Sequence, residues 1–172
     1  MTLLKNKIFC IPFWRGVLST ILMLFTVSFL LIQSVMADSF TIVDGQEETT
    51  QQTLNANESG VIEEGGQLNT GANTAINNPV GEGQASVTNS GTITTAGVDA
   101  DGIFSSGDNA TLTNSGTITT EGDRARGIIS SGDNATLTNS GTIRIEGDYA
   151  DGIISSGDNA TLTNSGTITT AG

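Results

Sequence analysis

Four kinds of side chain recur every 25 residues in this chain, and each could do chemistry. Asp108, Asp133 and Asp158 stand in repeated Ser-Gly-Asp-Asn phrases. Stacked one above another, they would form a carboxylate ladder for Ca2+, a hard cation that takes oxygen ligands. The Gly-Gly-x-Gly-x-Asp nonapeptide of calcium-binding repeats does not occur in the sequence, so these residues read first as corner aspartates that satisfy turn amides. Thr-x-Thr recurs twice per period, at Thr111/Thr113 and Thr117/Thr119 and their equivalents. On a strand surface those pairs would present a flat hydroxyl array able to meet ice, although strand propensity alone also favours threonine. Asp101, Arg126 and Asp151 align in successive repeats, as do Asp99, Arg124 and Tyr149. A cation between carboxylates is a cross-strand ladder that holds register. Asn109-Ala-Thr111 recurs at Asn134 and Asn159, and Asn57-Glu-Ser59 has the same form. All match a glycosylation acceptor, but turn and strand needs account for the phrase.

Other chemistries are excluded by composition. The sequence holds no His, and its only Cys (Cys10), only Trp (Trp14), both Lys (Lys5, Lys7) and all Met fall within residues 1–37. The remainder therefore has no disulfide, no thiolate or imidazole metal ligand, no Cys or His nucleophile–base pair and no Schiff-base lysine. No cofactor is expected. Eighteen acidic against six basic residues, net −12, disfavour a nucleic-acid partner, because phosphate requires a basic face. An enzyme on an elongated repeat fold needs a cleft. Near-identical repeats build a uniform surface instead, and the expectation is that the chain is not an enzyme.

What positions these side chains is the repeat itself. Residues 102–126 and 127–151 are identical at 20 of 25 positions, residues 152–172 begin a further copy, and residues 85–101 close an earlier one. A fixed period in this range signals stacked supersecondary units. Each unit reads as three short strands: Ala110-Thr-Leu-Thr113, then Thr117-Ile-Thr119 after the Asn114-Ser-Gly116 turn, then Ala125-Arg-Gly-Ile-Ile129. Three strands joined by Gly-bearing corners, with no helical periodicity, predict an all-β, right-handed parallel β-helix of 25-residue coils. The glycines are expected to supply positive φ at the corners.

Alternation puts Leu112, Leu137 and Leu162 inside, with Ile118, Ile143 and Ile168, and turns the flanking threonines out. Ile103, Ile128 and Ile153 are expected in the core beside Ala125. The adjacent row Phe104, Ile129 and Ile154 is either an outward apolar stripe available for adhesion or partly buried at a corner. Asn114, Asn139 and Asn164 would superpose and pair amide to amide. Three aliphatics and one or two alanines cannot repay the ordering of a whole coil, so the coils must stack to be stable.

Upstream the pattern decays. Asn57-Glu-Ser-Gly-Val-Ile-Glu-Glu-Gly65 echoes the Asn-Ser-Gly-Thr-Ile phrase, Asn77-Asn-Pro-Val-Gly-Glu-Gly83 interrupts it, and Glu47-Glu-Thr-Thr-Gln-Gln52 reads as a solvated loop. Residues 38–84 are therefore an irregular cap or degenerate coils, and residues 85–172 are the regular array. Residues 1–37 read as an export signal. Lys5, Lys7 and Arg15 form a basic start, residues 17–32 an apolar stretch shorter than the ~20 residues that span a bilayer, and Val35-Met-Ala37 a peptidase site before Asp38. A retained membrane anchor is the other reading of this segment.

The tandem phrase "NSGTI…G…A.GI.SSGDNAT.TNSGTI" behind a Sec-type signal resembles the passenger regions of Gram-negative autotransporters. The likeness is strong over residues 85–172 and loose over 38–84. It implies a right-handed β-helix exported by the Sec machinery and shown at the cell surface, as a stalk or adhesin that meets a host surface or itself. It also implies a C-terminal β-barrel, which the sequence does not contain. The alternative is a secreted solenoid that binds ice or calcium through its Thr or Asp arrays.

Overall fold

The computed structural model describes residues 39–171 except Val80 and Glu82. The export signal and its Ala37/Asp38 cleavage point lie outside the described residues. Among the described residues there is no helix; seventeen strands wind as a parallel β-solenoid. The first coil holds β1 (Phe40–Ile42), β2 (Glu47–Glu48) and β3 (Gln52–Thr53), and the second β4 (Ser59–Ile62), β5 (Gln67–Gly71) and β6 (Ile76–Asn78). The third coil is β7 (Ser86–Asn89), β8 (Thr92–Thr95) and β9 (Ile103–Ser105), and the fourth β10 (Thr111–Asn114), β11 (Thr117–Thr120) and β12 (Ile128–Ser130). The fifth is β13 (Thr136–Asn139), β14 (Thr142–Ile145) and β15 (Ile153–Ser155), and β16 (Thr161–Asn164) and β17 (Thr167–Thr170) start a sixth. Each strand pairs in parallel with its equivalent one coil away. The first sheet runs β1-β4-β7-β10-β13-β16, the second β2-β5-β8-β11-β14-β17 and the third β3-β6-β9-β12-β15.

The core is a set of columns, because register keeps like above like. Val87, Leu112 and Leu137 form one, Leu68, Ile93, Ile118 and Ile143 a second, and Ile76, Ile103 and Ile128 a third, each with 0–1 % exposure. Ala75, Ala85, Ala100, Ala110, Ala125 and Ala135 fill corners too narrow for more. Leu162 is 49 % and Ile168 37 % exposed, where the strands pair with β13 and β14 on one side only.

Three points sharpen the sequence reading. First, the described residues between 39 and 84 form two further coils, the degenerate-coil alternative rather than the cap, and the segment read as a solvated loop carries β2 and the first residue of β3. Val61 and Ile62 lie in the first sheet, where Ile62 pairs with Asn89. The ring of Phe40 occupies the space that a side chain on Gly60 would need. The interruption after Asn78 is real but local, for Ser59 pairs with Ser86 and Ile76 with Ile103 across a coil of 27 residues instead of 25.

Second, the glycines of the repeat do not provide positive φ. That conformation falls to Asn109, Asn134 and Asn159 at one corner and to Asp99, Arg124 and Tyr149 at another, all with φ of 56–59°. The repeat glycines allow close approach instead. A Cβ on Gly122, Gly132, Gly147 or Gly157 would run into the carbonyl oxygen of the glycine one coil earlier. Third, not every threonine of the second sheet points out. Thr95 and Thr120 are buried, and their hydroxyls donate across the corner to the carbonyls of Ala100 (2.6 Å) and Ala125 (2.8 Å). Ile145 replaces this threonine in the next coil and is itself fully buried, so it is a core residue.

Candidate functional site

Stacking turns each repeated residue into a row. The corner aspartates are committed to the backbone. Asp108 Oδ1 accepts the N–H of Asp133 at 2.9 Å, Asp133 Oδ1 that of Asp158 at 2.8 Å, and Asp123 Oδ1 that of Asp148 at 3.2 Å. Each carboxylate thus closes the turn of the following coil, and its charge stays solvated. Among the described residues no group of three or more His, Cys, Asp or Glu is arranged to hold a metal ion.

The asparagine row lies inside the solenoid at the end of the first-sheet strands. Nδ2 of Asn89 donates to Oδ1 of Asn114, Asn114 to Asn139, and Asn139 to Asn164, each at 2.7 Å. The chain of amides is directional: every donor points toward the next coil. At its upstream end the row contains Ile62, and Oδ1 of Asn89 is buried without a partner.

The two charge ladders differ in depth. Arg124 grips Asp99 with both Nε and Nη2 at 2.9 Å on the exposed corner, and this hydrogen bond holds the Asp99 carboxyl below the usual carboxylate range. Asp101 is 3 % exposed. Its Oδ1 accepts both the backbone N–H (2.8 Å) and Nε (3.0 Å) of Arg126, yet burial pushes this carboxyl up. Arg144 pairs with Glu146 within its own coil at 2.6 Å.

The row Phe104, Ile129 and Ile154 is in register but not open. Phe104 and Ile154 are half-buried and Ile129 is 8 % exposed, because each side chain covers the next. This burial fits the reading in which these side chains are partly buried at a corner. The three Asn-Ala-Thr asparagines are exposed corner residues. Two features carry no signal in the repeat phrase. Glu58, 7 % exposed, folds back to accept the Asn55 N–H at 2.6 Å. Beside it, Asn57, Ser59, Gln84, Asn109 and Thr111 line a shallow groove of about 300 Å3 where the 27-residue coil bends around its two extra residues. Only the change of coil length between Asn78 and Ser86 hints at it.

The outward threonines make two faces. On the first sheet, Ser86, Thr111, Thr136 and Thr161 form one row, and Thr88, Thr113, Thr138 and Thr163 the next. On the second sheet, Thr92, Thr117, Thr142 and Thr167 run beside Thr94, Thr119, Arg144 and Thr169. No family model matches the chain, and comparison with curated proteins and with solved structures finds no match either.

Proposed function

We propose that this chain is part of the surface-displayed passenger of a Gram-negative autotransporter and serves there as a stalk or adhesin. It leaves the cytoplasm by the Sec route and loses residues 1–37. The observation that supports the reading is the constant register of the regular coils. Leu112 sits over Leu137 and Leu137 over Leu162, so each added repeat lengthens a rod by ~4.8 Å without altering its cross-section. A stalk needs that and no pocket. Acidic corners keep such a rod soluble, and a chain without cysteine beyond residue 37 cannot be locked by disulfides before it crosses a membrane.

The test is expression in a Gram-negative host from the natural gene, followed by surface biotinylation and mass spectrometry of the labelled protein. Labelled protein beginning at Asp38, from an open reading frame that runs on to a strand-rich barrel, is the expected result. Unlabelled protein with Met1 intact would refute the export reading.

A further inference from the structure

The first-sheet face has a composition that a stalk does not call for. Its eight outward positions on β7, β10, β13 and β16 are seven threonines and Ser86. None carries charge, in a chain with net charge −12. Valine would satisfy strand propensity equally well and would hold no hydroxyl. None of the eight hydroxyls has a hydrogen-bond partner among the described residues. The inward hydroxyls of Thr95 and Thr120, by contrast, are spent on carbonyls, and Ser90 and Ser115 bond each other at 3.1 Å. The second sheet lacks this uniformity, since Arg144 breaks its row and leans on Glu146.

Parallel pairing fixes the spacing of the array. Equivalent hydroxyls repeat every ~4.8 Å across strands, and alternate residues every ~6.6 Å along them. Along the stacking direction that net is close to the repeat of water oxygens on the faces of hexagonal ice, and along the strands it is somewhat shorter. We infer that the Ser86/Thr88–Thr161/Thr163 face binds ice. The hydroxyls hold the first layer of water at lattice positions, and the methyl groups lie against the gaps between those waters. Affinity for a crystal comes from rigidity, because the ordering cost is met when the coils stack and not when the surface is met. Thr111 and Thr136 are exposed, and Thr113 and Thr138 stand half-buried between neighbouring rows, which limits their rotamers. The inference rests on the solenoid alone and is independent of the export reading.

The experiment measures ice recrystallisation and crystal shape in the presence of the full chain. It is run beside Thr113→Glu/Thr138→Glu on the first sheet and Thr94→Glu/Thr119→Glu on the second. Circular dichroism confirms that all three remain β-rich. The wild-type chain and the second-sheet variant should arrest crystal growth. The first-sheet variant should need about tenfold more protein or fail entirely, because a hydrated carboxylate cannot be stripped into the lattice. Crystals that grow at the buffer rate with folded wild-type protein would overturn the inference. Equal loss in both variants would overturn it too, as would a face that only joins two copies of the chain, seen as a dimer in sedimentation with no effect on ice.

Discussion

Replacing Asn114 by leucine tests whether the amide row contributes to stability or merely accompanies stacking. Asn114 is fully buried, accepts from Asn89 and donates to Asn139. Asn114→Leu removes both bonds, at ~1 kcal/mol each, and strands Oδ1 of Asn139 at ~1–3 kcal/mol, while the added apolar burial returns ~1 kcal/mol. The net loss should be ~2–4 kcal/mol. Nδ2 of Asn89 keeps a contact to the Thr117 carbonyl at 3.3 Å, so it adds little to the penalty. The same substitution at the upstream end should behave differently. Asn89→Leu also breaks one amide bond and orphans Oδ1 of Asn114. It simultaneously removes the unpartnered Oδ1 that Asn89 already carries, and it sets an aliphatic side chain on Ile62. These contributions cancel to within ~1 kcal/mol. Urea unfolding followed by circular dichroism measures both, with the slope checked for loss of cooperativity between coils. Equal losses at the two positions, or a stabilised Asn114→Leu, would refute the claim that directional pairing along the row matters.

Gly132→Ala should cost about 3 kcal/mol or more by driving its new Cβ into the Gly107 carbonyl and parting two coils, read from the urea midpoint. Gly45→Ala, where only a φ of 75° is at stake and the space is open, should cost about 1 kcal/mol. Tyr149 holds φ 58° while 90 % exposed, so Tyr149→Asn should raise stability by ~0.5–1 kcal/mol in the same assay. Arg124→Asn should gain less, since it forfeits the two hydrogen bonds to Asp99. The two ladder aspartates should respond to acid with opposite sign. Burial raises Asp101, so its share of stability is full below the unfolded carboxylate value of ~3.9 and fades as pH rises through its folded value. The Arg124 hydrogen bond lowers Asp99, so its share is full above that value and is lost as pH falls through its folded one. Unfolding midpoints of Asp101→Asn and Asp99→Asn against the wild type, followed from neutral to acid pH, should diverge in opposite directions.

The repeat made the solenoid legible without coordinates. Copies identical at 20 of 25 positions can bury their apolar residues only by stacking in register, so the columns of Leu112 and Ile118 followed from alternation alone. Local pattern could not say which backbone positions turn left-handed. A corner's path depends on the coil beneath it, and the glycines turned out to serve contact between coils while Asn109, Arg124 and Tyr149 carry the positive φ. Alternation turns Thr120 inward, but only the fold of the corner brings the Ala125 carbonyl to its hydroxyl. The early coils stayed hidden because pairing acts across space. The Phe40 ring fills the room a side chain on Gly60 would take, and Ile62 meets the asparagine row through its pairing with Asn89. Sequence determined the period and the columns, which arise from identity between neighbours. Corners, register at the irregular end and the exposure of each row were decided by tertiary structure, because each depends on the coil above or below and not on the residues beside it in the chain.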